Sequence, residues 1–404
     1  MKNNLKFPKD FLWGASTSSY QVEGNIKNDW SEWEKSEKRK NQLEKTGMVK
    51  KYGFDNFICG RACDHYNRYE EDFDIAKSLC HNAHRFSIEW ARIEPEEGKF
   101  DKKEIEHYRE VIKALRKRNL EPFVTLWHFT NPLWLKNGWL NKKAISYFTR
   151  YVEKVVSELG EDVKFWITLN EPMVYSFLGY LIAKWPPQQM NPLNFFEVRN
   201  TLAEAHIKSY NIIKNMSPEF NIGIAKNNTY YTQFANWCPF EWAIKKILKY
   251  HNNKWFLNKI ENYQDFIGLN YYMHFEINPL ILKTKISPEN RTDMGWEICP
   301  EGIYHLLMDL KKYNKPVYIT ENGIADARDE KRGKFIKDHL YWINRALEDG
   351  VDVKGYFYWS LLDNFEWAEG FCPKFGLVEI DYRTMERRIR ESAYGYAKII
   401  QHVK

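Results

Sequence analysis

Glu171, in the stretch TLNEP at residues 168–172, and Glu321, in ITENG at residues 319–323, each follow an apolar, β-branched run and each adjoin an asparagine. A carboxylic acid at a strand end can donate a proton while the neighbouring amide grips a hydroxyl. Two such groups facing each other supply what cleavage of an acetal needs: one protonates the departing oxygen and the other meets the oxocarbenium-like carbon. At a gap of about 5–5.5 Å the second carboxylate attacks directly and configuration is retained; at about 6.5–9.5 Å a water fits and configuration inverts. Neighbours assign the roles. Glu171 lies beside a neutral amide in a ring-rich context that raises its proton affinity, as an acid requires; Arg85 and Tyr272 are candidates to meet Glu321 and hold it ionised, as a nucleophile requires. The competing reading makes both glutamates structural, as helix caps or ion-pair partners.

The two acids are 150 residues apart (321 − 171), so no local turn or single helix joins them. The pattern of the chain supplies the architecture. Apolar runs from residue 11 and at 83–90, 122–129, 163–169, 221–226, 265–271, 316–320 and 353–359 predict strands. Amphipathic stretches at 64–80, 103–118, 143–159, 197–214, 240–262, 301–312, 333–349 and from about 390 predict the helices between and after them. Strands apolar throughout argue for a parallel sheet covered on its outer face, and eight strand–helix units argue for closure into a (β/α)8 TIM barrel, a single domain over residues 1–404. The polar stretch at about 34–56 is expected to connect elements near the N-terminus, and no Pro-, Gly- or Ser-rich linker divides the chain.

In such a barrel the C-terminal strand ends meet around one mouth. Glu171 would close the fourth strand and Glu321 the seventh, with Gln21, Arg85, His128, Asn270, Tyr272, Trp359 and Glu366 at or just beyond other strand ends. Arg85, inside an apolar strand, needs a carboxylate partner, and a buried pair without function is its plain alternative. His128 has the matching alternative of a satisfied polar residue.

Composition removes other classes. The net charge of +6 comes from lysines scattered among 54 acidic residues rather than from a basic block, which argues against nucleic acid. Sixteen tryptophans, many beside polar residues, suit ligands with flat apolar faces and hydroxyl rims, although any one of them can equally fill core. The six cysteines, Cys59, Cys63, Cys80, Cys238, Cys299 and Cys372, form no C-x-x-C pair, and no H-E-x-x-H occurs, so no metal and no cofactor are expected. No apolar run has the length of a secretion signal or a membrane span, which predicts a soluble, cytoplasmic protein without a membrane partner. These patterns do not specify an oligomeric state.

Taken together, the segments FLWGASTSSYQVEG, HRFSIEWARIEP, TLNEP, GLNYY, DMGWEICPEGIY, ITENGIAD and YFYWSLLDNFEWAEGF resemble glycoside hydrolase family 1, the retaining β-glycosidases, from about Phe7 to the last helix. The resemblance implies Glu171 as acid/base, Glu321 as nucleophile, Asn170 on the sugar 2-hydroxyl, and Gln21, His128, Glu366 and Trp367 on the remaining hydroxyls. It puts Trp359 beneath the sugar and Arg85, Asn270 and Tyr272 around the nucleophile. It implies a retaining exo-β-glycosidase acting on small β-glycosides or oligosaccharides, β-glucosides first and β-galactosides or β-fucosides next, with neither metal nor cofactor. The segment from about residue 227 to 265 looks shorter than is usual in that family. Two alternatives accompany this reading. A 6-phospho-β-glucosidase would set a phosphate dianion near Glu366, with Lys374 close by, and a non-catalytic sugar-binding barrel would have lost turnover.

Overall fold

The computed structural model describes residues 5–235, 237–277 and 287–403. Eight parallel strands close into a barrel: β1 Leu12–Ser16, β2 Ala83–Ser87, β3 Glu121–Thr125, β4 Phe165–Asn170, β5 Asn221–Asn227, β6 Phe266–Tyr271, β7 Val317–Asn322 and β8 Val353–Trp359. They follow one another round the barrel in chain order, and β8 pairs with β1 to shut it. Each strand leads to an outer helix: α1 His65–Ser78, α2 Lys102–Lys117, α3 Ala144–Leu159, α4 Pro192–Met216, α5 Pro239–Leu248, α6 Glu301–Leu310, α7 Arg332–Glu348 and α8 Glu391–Val403. The (β/α)8 barrel predicted from the alternation of elements is therefore the observed one. Among the described residues no helix is long and apolar enough to cross a membrane.

The helices form where spacing and caps agree. In α2 the buried residues Ile105, Tyr108, Val111, Ile112 and Leu115 recur at three- and four-residue steps, and Asp101 accepts hydrogen bonds from the first-turn amides of Lys103 and Glu104. Several boundaries differ from the sequence reading. The run at 83–90 leaves the barrel at Ser87 and turns into the short helix Trp90–Ile93, and the run at 122–129 leaves at Thr125. Both runs stay apolar past the last paired residue because Trp90 and Trp127 are buried against Trp139, with Trp90 also stacked on Tyr151 of α3. The helical stretch at 240–262 is broken: α5 stops at Leu248, and a π-helical turn, Lys249–Lys254, separates it from Trp255–Lys259. The polar stretch near 34–56 contains two helices, Glu37–Lys45 and Met48–Tyr52, instead of a plain connection.

Inside the barrel, Ala83, Phe123, Ile167, Ala225, Phe266, Tyr318 and Phe357 pack as one layer. Phe123 is its centre, stacked on Phe165 at 4.2 Å and edge-on to Tyr318 at 5.1 Å. This plug fills the lower barrel, so the residues two positions further along each strand form the floor of the mouth. By that step Arg85, Thr125, Asn227, Thr320 and Trp359 point inward and upward, as does Asn270 four positions beyond Phe266. Strict alternation would turn Asn170 and Glu321 outward. Pairing slips between Ile167 and Asn170 against β5, and between Leu269 and Asn270 against β7, bring both residues into the mouth.

Candidate active site

Glu171 and Glu321 line one cavity of about 630 Å³ at the C-terminal ends of the strands, together with His128, Asn170, Tyr272, Trp359, Glu366 and Trp367. Glu171 directly follows β4 with φ of +42°, a left-handed conformation that costs a non-glycine residue free energy. It occupies the N-cap position of the helix Pro172–Ser176, yet its side chain makes no cap hydrogen bond. The carboxylate turns to the cavity instead. Its Oε1 accepts from Asn270 Nδ2 at 2.7 Å and from Asn227 Nδ2 at 3.3 Å, which leaves Oε2 for a ligand. Burial, and then the charge of Glu321, push the Glu171 carboxyl up to about 7.

Glu321 has a different setting. The Arg85 guanidinium, fully buried in β2, donates to Oε1, and the Tyr272 hydroxyl donates to Oε2 at 2.7 Å. Burial and the Glu321 charge hold the Tyr272 phenol well above its ordinary range, so it stays a donor. Arg85 also reaches Thr125 Oγ1 at 3.1 Å and Asn170 Oδ1 at 2.7 Å. One cation thus connects the environment of Glu321 with that of Glu171, because Asn270 touches both Asn170 Oδ1, at 3.3 Å, and Glu171.

These contacts fix the proton on His128. Asn170 Oδ1 accepts from Arg85 and Asn270, so its other terminal atom is the NH2 group, which donates to His128 Nε2 at 3.0 Å. Burial and the nearby Arg85 charge push the His128 pKa well below its ordinary value, so the ring is neutral and carries its proton on Nδ1. That atom is buried with no partner. A buried donor without an acceptor is rare in a folded protein. The ring lies nearly parallel to those of Trp359 and Trp367, with centroids 6.1 and 5.9 Å away.

Another wall comes from the loop after β8, with the short helix Ser19–Val22 behind it. Gln21 is buried, accepts from Ser18 Oγ at 2.7 Å, and donates to Asn364 Oδ1 and the Phe365 carbonyl at 2.9 Å each and to Glu366 Oε2 at 3.4 Å. Burial, with the charges of Glu321, Glu369 and Glu171 adding to it, pushes Glu366 up to about 8. Of the site residues singled out in the sequence, His128, Asn170, Glu171, Tyr272, Glu321, Trp359, Glu366 and Trp367 line the cavity, and Arg85, Asn270 and Gln21 stand behind it, bonded to Glu321, Glu171 and Glu366. Gln21 comes from a helix rather than a strand end and is already bonded to Glu366 and Asn364.

Three participants escaped the sequence reading. Asn227 ends β5, one residue beyond the predicted strand, and obeys the same rule of an amide at a strand end. Thr320 donates to Asn270 Oδ1 at 2.6 Å and so fixes which end of that amide meets Glu171. Lys226 is a buried cation in an apolar strand, the signal that singled out Arg85; it donates to the Asn227 carbonyl and to Asn228 Oδ1. Burial pulls its ammonium down to about 7 while the Glu171 charge opposes that fall.

The arrangement has relatives. The family model described as glycosyl hydrolase family 1 matches residues 3–262 and 257–404. A 1,4-beta-D-glucan glucohydrolase of Thermotoga neapolitana is 35% identical, with 98% of each chain covered. Among solved structures, a beta-glycosidase from Pyrococcus horikoshii is 41% identical with a TM-score of 0.86, covering 99% of this chain and 96% of that one. A beta-glucosidase from Thermotoga maritima in complex with glucoimidazole is 33% identical with a TM-score of 0.87, covering 98% and 99%.

Proposed function

The chain belongs to glycosyl hydrolase family 1, and from that premise we propose that Glu171 and Glu321 divide the family's chemistry between them, within one catalytic domain. The protein is an exo-β-glycosidase that hydrolyses β-D-glucosides with retention through a covalent glycosyl-enzyme. β-Galactosides fit the same relationship. The observation that carries the assignment of roles is the contrast between two acids in one cavity: Glu171 is raised to about 7 by burial and like charge, and Glu321 is paired with Arg85.

In our reading Glu321 attacks the anomeric carbon from below while the Glu171 proton passes to the departing oxygen through Oε2. Glu171, now ionised, then takes a proton from water as that water's oxygen displaces Glu321 from the sugar. The Arg85 guanidinium offsets the nucleophile's charge before attack, and Tyr272 keeps its second oxygen oriented. Asn170 holds the 2-hydroxyl. His128, Gln21, Glu366 and Trp367 bind the other hydroxyls, with Trp359 as the platform; Asn270 orients Glu171 as well as bordering the nucleophile.

An unphosphorylated sugar is favoured over a 6-phosphorylated one. Glu366 sits with Glu171, Glu321 and Glu369 in one cavity; Lys184 on its wall is already paired with Glu369 at 2.8 Å, and Lys374, the cation nearest in sequence, lies over the Tyr382 ring at 4.5 Å and does not line the cavity. The experiment for the assignment is release of nitrophenol from an aryl β-glucoside by Glu321→Gln. The expected rate is below about one hundredth of wild type, and a larger residue of activity counts against covalent catalysis at this position.

A further inference from the structure

We propose that Arg39 is a positioning residue for the sugar hydroxyls: from the helix Glu37–Lys45 it holds the turn at residues 366–370 in the shape that presents Glu366 and Trp367 to the cavity. The inference rests on the glycosidase reading of the same site. It goes beyond that reading by giving a part in substrate recognition to the polar stretch near 34–56, which the sequence marked only as a connection.

The turn needs to be held. Trp367 has φ of +48°, a left-handed conformation that costs a non-glycine residue free energy and persists where its surroundings enforce it. Within the turn, the Glu369 amide donates to the Glu366 carbonyl at 2.9 Å, that of Gly370 to Trp367 at 3.1 Å, and that of Glu366 to Gly370 at 2.8 Å. These bonds pass over the carbonyl of Ala368, a buried residue, and that carbonyl accepts from Arg39 Nη2 instead. Without the guanidinium a buried acceptor would lose its donor, and the turn would gain by rearranging to find another. The Trp367 ring is packed among Tyr20, Trp30, Phe129 and Trp185, with centroids 4.7 to 5.9 Å away. Those contacts confine the ring; the bond to the next carbonyl ties down the backbone that carries it.

Arg39 is itself fixed from several sides. The Ser36 hydroxyl caps the helix by accepting from the Arg39 amide at 3.3 Å. The guanidinium lies over the Trp33 ring at 4.8 Å, and its Nη1 donates to Gln42 Oε1 at 3.1 Å. Burial pulls its pKa down to about 10 against the charges of Glu369 and Glu34, so it stays cationic at neutral pH and its hydrogen bonds are charge-assisted. An arginine only 4% exposed in so polar a helix calls for a reason. The same helix also grips the segment after β4: Lys38 Nζ donates to the Gln188 carbonyl at 3.0 Å, and Gln188 Nε2 donates to Gln42 Oε1 at 3.2 Å. It thus braces the two loops that carry Trp185 and Trp367, which Lys184 and Glu369 join directly at 2.8 Å. The plain alternative gives Arg39 to stability alone, and it predicts the same loss on every substrate.

Arg39→Met keeps the aliphatic stem and removes every donor. The measurement is kcat/KM of wild type and variant on nitrophenyl β-glucoside and on its 3-, 4- and 6-deoxy analogues, a cycle in which intrinsic reactivity cancels. The expected loss is at least about tenfold on the glucoside, since small displacements of binding groups are costly. On at least one deoxy analogue, whose missing hydroxyl is one that Glu366 or Trp367 holds, it should be about threefold or less. Losses equal within about twofold on all four substrates, or a glucoside rate within about twofold of wild type, overturn the proposal. Arg39→Gln, whose terminal nitrogen falls two bonds short of the guanidinium's, is judged by the same criteria if the Met variant does not fold; failure of both to fold makes Arg39 a residue of the fold and also overturns it. Wild-type cleavage of the glucoside separates the two levels: with it, an even loss sinks only the role of Arg39, and if wild type cleaves none of the four, both readings fall.

Discussion

The division of labour between the two glutamates rests on residues that touch them, and each contact makes a prediction. Because Glu171 must be protonated to act as acid and is raised to about 7, kcat/KM should decline as pH rises through about 7. A leaving group that departs unaided needs no proton, so Glu171→Gln should cost about 10² to 10⁴ in kcat/KM on methyl β-glucoside and about tenfold or less on dinitrophenyl β-glucoside. Equal losses on both would remove Glu171 from the acid role. Lys226 is the cation whose charge favours ionised Glu171. With Lys226→Met that support is gone, Glu171 holds its proton to higher pH, and the alkaline limb should move upward by at least half a pH unit. A limb that stays in place, in a variant that folds, would make Lys226 a purely structural tie for Asn227. Arg85 and His128 were legible in the sequence because charge in an apolar strand and a ring at a strand end are both unusual. The free proton on His128 Nδ1 was not, since it depends on a chain of amide orientations running through Asn170, Asn270 and Thr320.

At the level of elements, periodicity revealed eight strands and eight helices, and with them the mouth where the acids meet. It could not reveal the slips in pairing. Counting by twos from Ile167 and Tyr318 sends Asn170 and Glu321 to the helix side, and only the offset against β5 and β6 turns them inward. The offset has no signature in residue type, being set by how neighbouring strands seat against each other. Asn322 and Gly323 illustrate the same limit. An Asn-Gly pair is a common turn signal, yet in the fold Asn322 belongs to β7, donates to the Tyr271 carbonyl at 2.7 Å and accepts from the Tyr356 hydroxyl at 3.0 Å. Gly323 is needed for space: a Cβ there would lie 1.8 Å from the Trp359 carbonyl oxygen. Gly323→Ala should therefore separate the ends of β7 and β8 beneath the sugar site, lowering both thermal midpoint and kcat/KM by a margin clear of error. Wild-type values for both would show that this close approach is not required.

For the molecule as a whole, closure of the barrel is what turns residues far apart in the chain into one site, and the charge gathered there selects the substrate. Glu171, Glu321, Glu366 and Glu369 act on one another across the cavity, with Arg85 paired to Glu321 and Lys184 to Glu369. A phosphate dianion added to that set meets like charge at a cost of several kcal/mol, so nitrophenyl β-glucoside should exceed its 6-phosphate in kcat/KM by about a hundredfold or more; a preference for the phosphate would require Lys184, on the cavity wall, to exchange Glu369 for the phosphate. The central claim is that Glu321, brought round by the barrel to face Glu171, forms the covalent bond to the sugar. The direct measurement is intact and peptide mass after incubation with a 2-deoxy-2-fluoro-β-glucosyl fluoride, whose electron-poor ring slows release of the intermediate. One fluoro-sugar per chain, on the peptide that contains Glu321 and absent from Glu321→Gln, is the predicted result; an adduct on another residue, or turnover to the inverted anomer with no adduct, would contradict it.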